Sequence, residues 1–247
     1  MTITDNYNIT RLFITKSVTV VVDKKYYFNI KLKSIKEFYE DSEWNGVYQL
    51  WTQDIEEWKK LFKGINLESS FEYIKLIIFE LGSYKQYRTL ADSMLKYLTD
   101  TISDINIAFT NQTIYINDLT MTVEIWDYII YLLKLSQGER VTQPRIFSSP
   151  AEKAFYQQQM EYEKRIQQIR QKGKSSDGGD KDGVIKTCLY ITYSFPSITF
   201  DYLFDQTMAQ IYWLQKMAAE SVSYSFNEKA FAAGNVKKGK KLDFFIK

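Results

Sequence analysis

The side chains that carry most enzymatic chemistry are scarce in this sequence. It contains no histidine and one cysteine, Cys188. A Ser–His–Asp or Cys–His nucleophilic arrangement therefore has no base. Zinc or iron sites built on imidazole, or on four thiolates, have no ligand set. The glycines at 46, 64, 82 and 138 are isolated, so neither a P-loop nor a dinucleotide-binding fingerprint is present. Two carboxylate groupings have residue types suited to chemistry. Asp177, Asp180, Asp182 and Gly183 resemble part of a calcium loop. Placing Asp182-Gly183 at positions five and six, however, puts Gly178 at position one and Leu189 at position twelve, where ligands are required. The segment reads instead as a solvated linker. Glu56 and Glu57 could do acid–base work in principle, but they lie on a charged helix face that needs no such role. No catalytic residue, metal ligand or cofactor is assigned, and the chain is expected not to be an enzyme.

What remains is binding. Lys237, Lys238, Lys240 and Lys241 lie near phenylalanines and have the composition of a single-strand nucleic-acid grip. The whole chain, with 32 basic and 30 acidic residues, lacks the basic excess that phosphate neutralisation demands. A nucleic-acid-binding module is thus the weakest of the binding readings. The stronger candidate is a stripe near the C-terminus: Tyr202, Phe204, Met208, Ile211, Tyr212, Trp213 and Met217. Aromatic and methionine side chains at helical spacing form either core or an adaptable protein-binding surface.

The elements that must position this stripe follow from the pattern. Only 3 prolines and 10 glycines in 247 residues favour long regular elements. Ile14–Val22, a turn at Asp23-Lys24-Lys25 and the alternating Tyr26–Leu32 predict a hairpin. Ser34 is placed to cap a short helix over Ile35–Tyr39, and Asp54 to cap the next. Residues 68–81 predict an apolar helix ended by Gly82 at a C′ position, followed by a second helix over 84–98. A second hairpin pairs Ile105–Phe109 with Thr113–Ile116. Thr122 then opens a helix over 123–135 that Gly138 stops. Residues 150–171 predict a charged, glutamine-rich helix, and 172–183 a flexible linker. Beyond it, 184–193 is an apolar helix or strand. Ser197 is placed to cap a helix over 200–220, and the end from 227 reads as a mobile basic tail.

The expected fold is therefore α+β, mostly α-helical with two small β-hairpins. An N-terminal domain (1–171) and a C-terminal helical segment (184–247) flank the linker (172–183). A segment of that size rarely stabilises itself alone, so it must dock on the first domain, another copy or a partner. The lone cysteine, the absence of a leader pattern at the N-terminus and the shortness of the apolar runs point to a cytoplasmic chain with no membrane span.

Several local features bear a resemblance. They are Ile30-Lys31-Leu32-Lys33-Ser34 leading into the first helix, Trp126-Asp127-Tyr128-Ile129-Ile130 after the second hairpin, Tyr193-Ser194-Phe195-Pro196-Ser197, and Gln210-Ile211-Tyr212-Trp213-Leu214. In order and spacing, the layout resembles tail assembly chaperones and related tail-morphogenesis proteins from phages of low-GC Gram-positive bacteria. The resemblance implies binding of the tape measure protein, a long apolar helical client, which is kept soluble in the host cytoplasm until tail-tube subunits polymerise around it. It also implies self-association into a homo-oligomer. It defines no individual binding residues. A structural virion component, such as a connector, tail or baseplate protein, is the alternative, since it too needs apolar patches and no chemistry.

Overall fold

The computed structural model describes residues 2–5, 16–139, 141 and 181–232. The 150–171 helix, most of the linker and the basic run at 237–241 lie outside them. The described chain is α+β and mostly helical, with two small antiparallel sheets. The described residues from Thr187 onward belong to the same compact unit as the described residues up to 141, while the described residues 181–186 fall in a second unit. Among the described residues, no helix is long and apolar enough to cross a membrane.

The first sheet has strands β1 (Ile3–Asp5), β2 (Ser17–Val22) and β3 (Tyr26–Lys31), with Val20 opposite Phe28. Alternation puts Val18, Val20, Val22, Phe28 and Ile30 inward, all buried. Asp23 and Lys24, both at positive φ, make the expected turn. The third strand, β1, has no counterpart in the sequence pattern. It is three residues long, too short for alternation to mark it.

Helices α1 (Ile35–Glu40), α2 (Ser42–Trp51) and α3 (Ile55–Leu61) follow. Ser34 and Glu37 form a complete capping box. Asp54 stands at the N-cap of α3 without a side-chain cap bond. Ser69 and Glu72 make a second capping box, opening α4 (Ser70–Lys75). This helix runs into a π turn at Leu76–Glu80 and a 3₁₀ turn at Leu81–Ser83 before α5 (Lys85–Thr101). Gly82 is therefore not a left-handed C′ residue. It is required for close approach, since a Cβ there would lie 2.9 Å from the Cβ of Ala91 on α5.

The second sheet comprises β4 (Ile105–Ala108), β5 (Thr113–Ile116) and the unexpected two-residue β6 (Leu119–Thr120). Thr122 caps α6 (Val123–Ser136) as expected. The core between these elements is aromatic. Trp44, Trp51, Trp58 and Trp126 are all buried. Trp51 meets Trp44 at 5.4 Å and Trp126 at 5.5 Å, both edge to face, and Phe71 stacks on Trp126.

The C-terminal helices are α7 (Lys181–Ser194), α8 (Phe200–Phe204) and α9 (Met208–Ala232). The single helix expected over 200–220 is split, and its cap is Thr199 rather than Ser197. The cause is local. Thr207 Oγ1 accepts the Gln210 N–H at 3.3 Å, and Gln210 Oε1 accepts the Thr207 N–H at 2.6 Å. This reciprocal capping box starts a new helix, which then runs through residue 227 to Ala232.

Gly46 and Gly82 give opposite expectations. Gly46 lies inside α2, and no neighbouring atom comes within 4 Å of where a Cβ would stand, so Gly46→Ala should stabilise by about 0.5–1 kcal/mol. Gly82→Ala should destabilise, because it pushes α5 away. Urea denaturation of both variants checks the pair; equal effects would contradict the close-approach reading.

Candidate functional site

Two surfaces qualify for inspection: a polar groove on the N-terminal body and an apolar band on the C-terminal helices. The groove, about 480 Å³, is lined by Lys33, Glu37, Glu40, Asp41, Ser42, Glu43, Lys96 and Tyr97. Its polar groups are largely engaged with one another. Asp41 Oδ1 accepts the Trp44 N–H at 2.9 Å, capping α2, and the Tyr97 O–H at 2.7 Å. Glu43 accepts hydrogen bonds from Ser93 Oγ and Lys96 Nζ. Burial opposes ionisation of Asp41, but the Trp44 N–H, the Tyr97 hydroxyl, Lys33 and Lys96 together hold it below the usual carboxylate range. Bonds from Ser93, Tyr97 and Lys96 likewise lower Glu43. Burial and the Asp41 carboxylate push Tyr97 up to about 12. Among the described residues, no group of three or more His, Cys, Asp or Glu could hold a metal ion. The groove is thus a cross-link between α1, α2 and α5.

The C-terminal helices carry a different surface. Of the thirteen large apolar side chains exposed among the described residues, eight fall within 185–226: Ile185, Leu189, Tyr190, Tyr193, Tyr202, Tyr212, Val222 and Phe226. Helix α7 is apolar on two sides. Cys188 and Ile191 are buried, Cys188 near Tyr39 of α1. Ile185, Leu189 and Tyr193, spaced i, i+4, i+8, form a ridge on the other side, where Leu189 is 51% and Tyr193 87% exposed. Between Gly183 and Phe200 the only charged side chain is Lys186. A helix apolar all round is ordinarily buried all round, and this one is covered on one side.

The stripe predicted from sequence is divided. Met208 and Ile211 are buried within the chain and serve its own packing. Tyr202 and Tyr212 are exposed, and Phe204, Trp213 and Met217 are partly covered. The inward track of α9 runs Ile211, Leu214, Ala218 at alternating three- and four-residue steps. Ser221 and Ser225 continue that track, and none of the described side chains beyond Ala218 is buried. The loss of apolar residues at those two positions ends the packing while the helix goes on. The exposed ridge of α7 is not among the residues that sequence reasoning singles out. Its signal lies in residues 184–193, where apolar residues occur on every side of a helix.

Tyr212 links this band to the body. Gly138, at φ +76°, closes α6, and its N–H donates to the Leu135 carbonyl at 3.0 Å. A Cβ at Gly138 would lie 2.3 Å from the Tyr212 ring. The glycine is thus required twice, for its left-handed backbone and for the ring above it. Beside it, the Tyr48 O–H donates to Glu139 Oε1 at 2.7 Å. Burial, with Tyr212 and Cys188 nearby, raises the pKa of Tyr39.

Comparison with protein-family models, with curated proteins and with solved structures gives no match to this chain.

Two outcomes are expected. Tyr97→Phe removes a hydroxyl bonded to a carboxylate and should cost about 1.5–3 kcal/mol at neutral pH. Tyr97 is neutral in the folded state up to about 12, whereas an unfolded tyrosine ionises near pH 10. Its contribution is therefore complete below pH 10 and is lost as pH rises toward 12. The stability gap between wild type and Tyr97→Phe, read from urea midpoints, should shrink over that window; a constant gap would refute the assignment. Separately, Gly138→Ala should cost at least about 1–2 kcal/mol from backbone strain alone. Its loss should be smaller in a Tyr212→Ala background, because the clash with the ring is gone.

Proposed function

We propose that the chain is a non-catalytic protein-binding protein whose C-terminal helices hold an apolar helical client. The observation that carries this reading is the second apolar face of α7, the ridge of Ile185, Leu189 and Tyr193 left exposed. Three apolar side chains at i, i+4, i+8 form half of a helix–helix contact. Because residues 184–199 bear one charged side chain, Lys186, the complement of Leu189 and Tyr193 is an uncharged apolar helix face. An acidic or basic segment would leave its charges desolvated and unpaired there. Tyrosine in the ridge adds broad contact area with a polar tip that tolerates water before the client arrives.

Taken with the layout described above, the client is the tape measure protein of a tailed phage or prophage, and the chain acts as its tail assembly chaperone in the host cytoplasm. A long apolar helical protein aggregates when it waits for its tube subunits, and a reusable apolar ridge shields it in the interval. The chain needs no catalytic group for that task.

The test is co-expression with the tape measure protein of the same genome, followed by affinity capture and light scattering. A soluble complex is expected from wild type, with the client insoluble alone. Leu189→Asp with Tyr193→Asp should abolish the complex while leaving the circular dichroism spectrum and melting temperature near wild type, since both side chains are exposed. Retention of the complex by this variant would remove the ridge from the interface. Failure of wild type to bind, together with its presence in purified particles, would favour a structural virion component instead.

A further inference from the structure

We propose that the C-terminal helices, from Thr187 to Ala218, form a cap that opens from the body as one cooperative unit. The body's apolar core is a continuous cluster drawn from residues between Val18 and Leu133. Cys188, Ile191, Leu203, Met208, Ile211, Leu214 and Ala218 are buried outside that cluster, as is Ile35 at the start of α1. These buried side chains thus lie apart from the main cluster, where α8 packs on α1 and α9 on α6.

The seam is polar. Of the seven buried polar residues among those described, Ser34 and Ser136 lie on the body's side, and Gln206, Thr207 and Gln210 on the cap's. Each has a partner on its own side. Ser34 bonds to Glu37, and Ser136 Oγ donates to the Leu133 carbonyl. Thr207 and Gln210 cap each other, and Gln206 Nε2 donates to the Tyr202 carbonyl at 2.9 Å. A buried polar group is costly to separate from its partner, but here opening separates none of these pairs. Direct contacts do cross the seam: the Ile35 N–H donates to the Gln206 carbonyl at 2.8 Å, the Tyr212 ring is seated over Gly138, and Tyr39 lies near Tyr212 and Cys188. On opening, water can take over that backbone bond, and the buried polar groups of both sides keep their internal hydrogen bonding. The contrast is the groove network, where Asp41–Tyr97 and Glu43–Ser93 bonds run between α2 or its cap and α5. Opening would bring Met208 and Ile211 to the surface beside the ridge of α7 and so enlarge the apolar band. This inference rests on the seam and not on the identity of any client.

The experiment is hydrogen exchange by mass spectrometry on the full chain, across urea concentrations below the unfolding midpoint. Peptides covering 187–218 and the peptide containing Ile35 should exchange as one set with a shared urea dependence. That set should be at least about tenfold faster than β2, β3 and α5. Tyr212→Ala removes the ring without altering α6, and Leu203→Ala removes a side chain buried in the cap. Each should accelerate the cap set by about tenfold further and leave the body's exchange unchanged. Equal rates and urea dependence for cap and body would overturn the proposal, as would variants that accelerate both alike.

Discussion

Trp51 sits between Trp44 and Trp126, edge to face with each, and the N-terminal body is organised around that chain of rings. Trp44 and Trp51 share one face of α2, about two turns apart, while Trp126 belongs to α6. Phe71 adds α4 by stacking on Trp126, and Tyr97 adds α5 by packing on Trp44 at 5.3 Å. Four helices from distant parts of the chain are thereby held by one aromatic column. Among the described residues, the indole N–H groups of Trp44, Trp51, Trp58 and Trp126 find no hydrogen-bond acceptor, a cost of roughly 1–3 kcal/mol each. Burial of one large aromatic side chain returns about 4–6 kcal/mol at ordinary apolar transfer values. Burial wins at each site, and edge-to-face geometry adds to it.

The chain handles buried polar groups in two ways, and the difference sets which parts move together. Around the groove, hydrogen bonds cross between elements, so Tyr97 of α5 cannot leave Asp41 without stranding a hydroxyl against a carboxylate. At the seam with the C-terminal helices, side chains bond within their own segment. The first arrangement fixes the register of α1, α2 and α5. The second permits docking without demanding it, which suits the client-binding role proposed for this segment.

Much of the body is legible in the sequence because its signals are local. Ser34 and Thr122 mark helix starts through bonds that span three residues, and Gly138 marks a stop through its own backbone angle, whereas the Ser69–Glu72 box lies inside the helix expected from 68. Asp23 and Lys24 mark the turn between two strands whose alternation is clear. The failures are equally physical. The strands at Ile3–Asp5 and Leu119–Thr120 are too short for periodicity, and the Thr207–Gln210 box is overrun by an apolar pattern that reads smoothly across it. Gly82 reads as a left-handed stop, whereas its role is to admit Ala91, a contact that no local pattern encodes.

For the candidate surface, the sequence by itself determined that the C-terminal helices carry more apolar side chains than one buried face requires. It also determined that no histidine-based or multi-cysteine chemistry is available to the chain. Which of those side chains face inward was decided only by tertiary structure. On α7, Cys188 and Ile191 on one side and Leu189 and Tyr193 on the other are equally compatible with an apolar helix face. The choice between them follows from how α7 is seated, with Cys188 near Tyr39 of α1. Periodicity reports how apolar residues are spaced around a helix, while the shape and hydrogen-bonding groups of the docking surface select the side that is buried.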